Sequence, residues 1–453
     1  MHTDATPPAP SASVGRQARA LLSLGLPLIG SHVAQMLIGV TDTVMIGWYD
    51  VTDLAALSVS GPIFFIIFIF GSGFGLAITP MVASALAQGE ERQVRRVTRM
   101  GLWLSIAFGL IVTPIFFFAE AIFLAIGQEP DVARQAGLYM PYLGLGMIPA
   151  LLVMVLKGYL SALELTRAIL LAVLISAGIN ALANYMLIFG NFGAPEMGIE
   201  GAGIASFLSH TVSLIALAVY AVLKRPDHAL LQNFHRPDPE AIRSVFIIGL
   251  PIGLTLLAET GLFAASSVMM GWLGKIPLAA HGIALQIASI TFMLPLGLSQ
   301  AITVRIGTAW GKNDPAALKA AGLAGLMLAG VAVVCTITAF LTVPEFLIGL
   351  FLDPEEPQRA AILATGVSLL AVAALFQLVD AGQVIALGML RGVHDTRVPM
   401  IIAVVSYWLI GLPVGYVLGF PAGIGGVGIW MGLTFGLAAA CIAMQWRFWK
   451  RYG

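Results

Sequence analysis

The sequence predicts an all-α integral membrane protein with twelve transmembrane helices in two pseudo-symmetric six-helix bundles. Three observations carry this: an apolar composition, twelve long apolar runs and an internal repeat. Of 453 residues, 59% are hydrophobic and 10% are charged, with a mean hydropathy of +0.94. Soluble domains carry about 25% charged residues. This chain lacks the polar surface that a water-soluble body of its size needs.

The apolar runs lie near 21–48, 56–88, 98–119, 135–163, 168–190, 199–223, 242–272, 279–310, 317–343, 360–390, 398–420 and 424–446. About 20 residues suffice for one crossing. The runs are too long and uniformly apolar for barrel strands, which alternate. Residues 1–20, rich in Pro, Ala and Ser, are expected to form a disordered cytoplasmic tail. They lack the basic start, short apolar core and cleavage site of a signal peptide. An N-terminal lobe then spans 21–223, a basic cytoplasmic linker 224–241 and a C-terminal lobe 242–453.

With twelve spans the loops alternate sides. All but Arg134, Lys275 and Arg359 of the 23 Lys and Arg fall on one side, with Lys157 and Arg391 counted among them. Acidic residues such as Asp50, Asp53, Asp131, Glu196 and Glu355 gather on the other. Because basic loops stay inside, both termini are expected to be cytoplasmic. Cys335 and Cys441 lie within apolar runs and read as packing residues, not a disulfide or metal pair.

The chain repeats itself. Gly25-Leu-Pro27 recurs as Gly249-Leu-Pro251, and Gly47-Trp48 as Gly271-Trp272. Gly75-Leu76 matches Gly297-Leu298, Thr166-Arg167 matches Thr396-Arg397, and Gly198-Ile199 matches Gly423-Ile424. Six spans per half is an even number, so both halves enter from the same side. Two parallel lobes with a cavity between them are the geometry of an alternating-access transporter.

Three acids sit well inside runs: Asp42, Glu259 and Asp380. A lone acid at a helix centre costs about 2.5–3.5 kcal/mol on insertion scales, and neither Glu259 nor Asp380 has a Lys or Arg within its span to pair with, Arg243 lying at the far start of the run that holds Glu259. Such a carboxylate holds a proton or binds a cation, and either suits a coupling site. The repeat aligns Glu259 with Gln35 and Asp42 with Ser266, so the two lobes place their acids differently. Partners for Asp42 are expected from Asn180 and Asn184, on one helix face, and from Ser206. Gln35 and Gln286 are further polar candidates, and His281 reads as interfacial. No Ser, Cys, His or Asp constellation suggests an enzyme; the zero formal net charge says nothing about partners, and no nucleic-acid partner is expected.

The doubled Gly-Leu-Pro…Gly-Trp segment, Pro295-Leu-Gly-Leu-Ser-Gln-Ala301 and Leu390-Arg-Gly-Val-His-Asp-Thr-Arg397 resemble the multidrug and toxic compound extrusion (MATE) family, in its NorM-like branch. The resemblance covers nearly the whole chain after residue 20. It implies a monomer in a bacterial inner membrane, exporting lipophilic organic cations and other drugs in exchange for Na⁺, with membrane lipid around it and no cofactor. It also implies a second-lobe cation site at Glu259 and Asp380, and a first-lobe cation or proton site at Asp42, Asn180, Asn184 and Ser206. NorM-like second-lobe sites can include a tyrosine one turn before the aspartate; here that position is Phe376. H⁺ coupling and a lipid-linked oligosaccharide flippase are the alternatives. The loop 89–96 is a poor fit to the Gly-Asp/Arg-rich loop of major-facilitator transporters.

Overall fold

A computed structural model describes residues 13–453, and twelve of its helices are long and apolar enough to cross a membrane. They are α1 (Val14–Tyr49), α2 (Val51–Ala87), α3 (Glu91–Phe117), α4 (Pro130–Ala162), α5 (Thr166–Phe189), α6 (Ile199–Lys224), α7 (Pro239–Leu273), α8 (Lys275–Gly311), α9 (Pro315–Thr342), α10 (Arg359–Gly392), α11 (Arg397–Gly419) and α12 (Gly426–Arg451). No strand occurs among the described residues. The apolar solvent explains this, because a helix satisfies its backbone bonds internally.

The first helix starts earlier than the sequence predicts. Ser13 caps it, and Val14 to Ala20 are helical, not a coil. The reason is tertiary: Gln17 is buried and accepts from Arg305 Nε at 3.0 Å. The rest of the expected tail, residues 1–12, lies outside the described residues. Two short helices, Ala119–Ala125 and Pro344–Gly349, follow α3 and α9 at equivalent places in the repeat. Both are shorter than two helical turns, too short for a periodic signal. Cys335 is exposed on α9 and is not a packing residue.

The repeat persists in the packing. Within the first six helices α2 packs on α4, α4 on α6, α5 on α6 and α1 on α5. In the second six, α8 packs on α10, α10 on α12, α11 on α12 and α7 on α11. Turn geometry repeats as well. Glu164 (φ 61°) and His394 (φ 62°), each just before a Thr-Arg pair, both take the left-handed conformation. One helix breaks the pattern: α11 carries a π-helical stretch at Val405–Gly411, whereas α5 is regular.

The halves meet along a seam of paired helices: α1 with α8, and its repeat mate α7 with α2. Contact is backbone-close. A Cβ on Gly73 would lie 2.5 Å from the Gly249 carbonyl oxygen and the Gly253 nitrogen. Gly297 abuts Ile29, and Gly25 abuts Leu298. All these residues belong to the helix halves nearest the end that carries both residue 13 and Gly453. Ion pairs reinforce that end. Arg305 Nη1 meets Glu164 Oε1 at 2.9 Å, and Arg96 Nη2 meets Glu240 Oε2 at 2.7 Å and Asp238 Oδ1 at 3.1 Å. Arg96 holds the Asp238 carboxyl below its ordinary value.

The linker is docked against the first half. Tyr159 and His228 share a 2.6 Å hydrogen bond, and Trp103 Nε1 donates to the Phe234 carbonyl at 2.8 Å.

Two predictions follow from this packing. Half-exposed ion pairs are worth about 0.2–1 kcal/mol, whereas a Cβ in a backbone-to-backbone contact forces the helices apart. Ile29→Cys, in a chain with Cys335 and Cys441 changed to Ala, is therefore expected to react with a thiol reagent about tenfold faster after Gly73→Ala. Arg305→Ala should raise the rate only about twofold. Equal effects would place the strength of the seam in its ion pairs. The second concerns pH. Burial pushes the His228 pKa below 6.5, aided by Arg225 and Arg95 and opposed by Glu91 and Asp227. A depressed histidine favours the docked linker at full strength above pH 6.5, and that contribution falls as pH drops below 6.5. Proteolysis between 225 and 238 should quicken between pH 7.5 and 5.5, and His228→Gln should flatten the profile.

Candidate cation and substrate sites

Asp42 lies on α1, buried where α5 and α6 converge on it. Asn184 Nδ2 donates to its Oδ1 at 2.6 Å, and Ser206 Oγ donates to its Oδ2 at 3.3 Å. Asn180 Oδ1 accepts from Asn184 Nδ2 at 3.3 Å. The asparagines are one turn apart, so a regular α5 holds both on one face. Every group around this carboxylate donates to it directly or orients a donor. The structure thus brings together all four first-lobe residues that the sequence singles out. It adds Tyr139 on α4, buried beside Ser206 and within electrostatic reach of Asp42. A tyrosine among apolar neighbours gives no sequence signal of its own.

The second-lobe acids also converge. Glu259 on α7 is close enough for its charge to act on Asp380 on α10. Asp380 Oδ1 is buried without a hydrogen-bond partner among the described residues, and so is Gln383 Oε1, three residues on along the same helix. Gln383 uses its Nε2 to donate to the Tyr407 hydroxyl at 2.6 Å. Tyr407 comes from the π-helical stretch of α11 and lies within electrostatic reach of both acids. Two buried acceptor oxygens without a partner among the described residues call for a proton or a cation.

Several expectations change. The sequence offers Glu259 and Asp380 no basic neighbour, yet Arg391, one residue beyond the expected span, is buried within electrostatic reach of Glu259. Helix α10 runs on to Gly392, which carries Arg391 into the bundle. Lys157, expected among the loop charges, is buried in α4 with Nζ 3.4 Å from Gln35 Oε1. Gln35 therefore belongs to a separate polar group at the lobe boundary. In it the Lys157 charge also reaches His32, which approaches Gln300 of α8. Gln286 is half-buried and makes no side-chain hydrogen bond among the described residues. His281 is not interfacial: it is buried, with Nε2 2.9 Å from Ser267 Oγ and Nδ1 accepting from Trp430 Nε1 at 3.1 Å. Phe376 packs edge-on against Trp430 (5.4 Å) and Phe263 (6.0 Å), so aromatic packing claims that position.

At the end away from the termini, a cavity of about 640 Å³ is lined by Asp50, Asp53, Asp131, Glu196 and Arg134. Two backbone N–H groups donate to Asp50 there and hold its carboxyl below the ordinary value. Asp53 Oδ2 accepts from Ile199 N, tying α2 to the start of α6.

Twelve spans, a parallel repeat and buried carboxylates in both halves define a membrane transporter. The family model MatE matches residues 27–186 and 251–417, one stretch in each half, and the chain belongs to that family. It is a transporter and not an enzyme. It is 44% identical to a protein of Agrobacterium fabrum named "Probable multidrug resistance protein NorM", covering 98% of this chain and 96% of that one. A Rhizobium meliloti protein of the same name is 46% identical, over 95% and 93%. Among solved structures, a MATE protein in the bent conformation superposes with a TM-score of 0.87 at 20% identity, over 96% of both chains. An outward-facing multidrug resistance MATE transporter superposes with a TM-score of 0.86 at 20% identity, over 98% of both chains. These superpositions establish the fold.

Asn184→Ala leaves Asp42 Oδ1 without its short bond, and an unsatisfied buried acceptor costs about 1–3 kcal/mol. Thermal melting of the purified protein should fall by several degrees. Ser206→Ala, which removes a 3.3 Å bond, should cost less than half as much. A larger loss for Ser206→Ala would place the main support of Asp42 on α6.

Proposed function

We propose that the chain is a cation-coupled multidrug efflux antiporter of a bacterial inner membrane. It exports lipophilic organic cations and other drugs in exchange for Na⁺. The observation that carries this reading is the pair of acceptors Asp380 Oδ1 and Gln383 Oε1, beside Glu259, that have no partner among the described residues. Na⁺ is a hard cation that takes oxygen ligands, and this pocket offers carboxylate, amide and phenol oxygens. The names of the relatives support the drug-export half of the reading.

The basic end is read as cytoplasmic. The seam then closes the inner face, and the cavity with the acidic lining faces outward. Inward movement of one cation gains about 2.3 kcal/mol per 100 mV, before any concentration gradient. In this mechanism cation entry neutralises the Glu259 and Asp380 pocket, and the lobes rearrange about the seam. The Asp42 cluster couples that change to drug release. H⁺ coupling is the second reading. Asp42 favours it, since its two oxygens already accept from Asn184 and Ser206 and a proton needs no further ligand shell.

Proteoliposomes loaded with an ethidium-like dye separate the readings, with Na⁺ and H⁺ gradients imposed singly at fixed potential. Na⁺-driven dye movement is expected, falling at least tenfold in Glu259→Gln and Asp380→Asn. Movement driven by H⁺ alone, kept in those variants and lost in Asp42→Asn, would transfer coupling to the first lobe.

A further inference from the structure

Outside the sites above, the strongest concentration of charge lies where the linker docks. A cavity of about 230 Å³ is lined by Arg92, Arg95, Arg96, Arg99 and Arg236. The first four fall on one face of α3, spaced as i, i+3, i+4 and i+7. Of these, only Arg96 has carboxylate partners among the described residues, Asp238 and Glu240. Arg99 Nη1 donates to the Gln232 and Asn233 carbonyls and so fixes the linker, while its Nε has no partner among the described residues. Arg92, Arg95 and Arg236 form no ion pair among the described residues. The one acid of the lining, Asp238, is already engaged by Arg96. Guanidinium groups left unpaired around a concavity are matched to a phosphate, which they bind through paired N–H donors.

The position selects the kind of phosphate. The arginines occupy the first three turns of a spanning helix, at the level where a chain enters a bilayer. One turn deeper, Trp103 stacks on Phe234 of the linker at 6.0 Å, an aromatic pair of the kind that sits at headgroup depth. Leu231, just before the lining residue Gln232, is 60% exposed, an apolar group suited to an acyl chain. Basic pockets at this depth hold anionic headgroups. We propose that this cavity binds the phosphate of an anionic phospholipid from the leaflet beside the two termini. The bound lipid braces the linker between α3 of one half and Asp238 at the start of the other.

The test uses the full-length protein in detergent micelles, with native mass spectrometry and a fluorescent phosphatidylglycerol. Arg92→Gln/Arg95→Gln removes two arginines that form no side-chain hydrogen bond or ion pair among the described residues. Arg134→Gln, at the opposite end, is the control. Each basic group near a lipid surface is worth about a fivefold factor in affinity. Phosphatidylglycerol binding is expected to fall about 20-fold in the double variant and to hold in the control. Phosphatidylethanolamine should bind far more weakly than phosphatidylglycerol. Equal binding of the two lipids, or equal binding by the double variant, overturns the proposal. So does displacement by millimolar inorganic phosphate, which would make this a site for a free anion. If the double variant does not fold, the wild type decides the matter. Its phosphatidylglycerol affinity must drop between 50 and about 500 mM NaCl, as screening shortens, and a salt-independent affinity overturns the site.

Discussion

A carboxylate in hydrocarbon has no water to solvate it, so it must find donors or a counter-cation within the protein. That constraint organises both halves. In the first, Asp42 is met by Asn184 and Ser206, with Asn180 orienting Asn184. In the second, Asp380 Oδ1 and Gln383 Oε1 are acceptors that no donor among the described residues meets, with Glu259 adding a further negative charge. The first cluster supplies a donor to each Asp42 oxygen, while Asn184 Oδ1 and Asn180 Nδ2 have no partner among the described residues. The second is incomplete without a cation or proton. Arg391, within electrostatic reach of Glu259, offsets part of that negative charge.

The seam places these clusters in one working unit. Glycines let α2 and α7 touch backbone to backbone, and α1 and α8 repeat the arrangement across the pseudo-two-fold axis. Protein interiors transmit displacement because they are close-packed. A change in tilt of α7, which carries Glu259, is therefore felt at α2. A change in α1, which carries Asp42, is felt at α8. The polar group of Lys157, Gln35, His32 and Gln300 lies across the α1–α8 part of this contact.

Much of this was legible in the sequence, and the failures have physical causes. Twelve apolar runs give twelve helices because hydrocarbon permits no other open structure. Asn180 and Asn184 were readable because a one-turn spacing fixes a shared face. Tyr139 and Tyr407 were not, since a phenol beside apolar residues reads as core or interface until another helix supplies its partner. Arg391 and Lys157 read as loop charges because they lie near span ends. Both instead lie in buried stretches of their helices, Lys157 beside Gln35 and Arg391 within electrostatic reach of Glu259. The start of α1 was missed for a similar reason, because Gln17 is held by Arg305 from a helix far along the chain.

The repeat also shows how one scaffold came to hold two chemistries. Helices α5 and α11 are equivalent: each begins at a Thr-Arg pair and packs on the last helix of its half. Regular winding in α5 stacks two amides on one face, toward Asp42. In α11 the π-helical stretch turns Tyr407 toward Gln383 and the acid pair. An inserted π turn rotates every side chain beyond it relative to a regular helix and is a common mark of functional sites. Gly432 and Gly436 of α12 accommodate it, packing against Gly415 and Gly411. A bulkier residue at either position would press on the stretch that presents Tyr407. The difference between the lobes therefore rests on helix winding as much as on which acids each half contains.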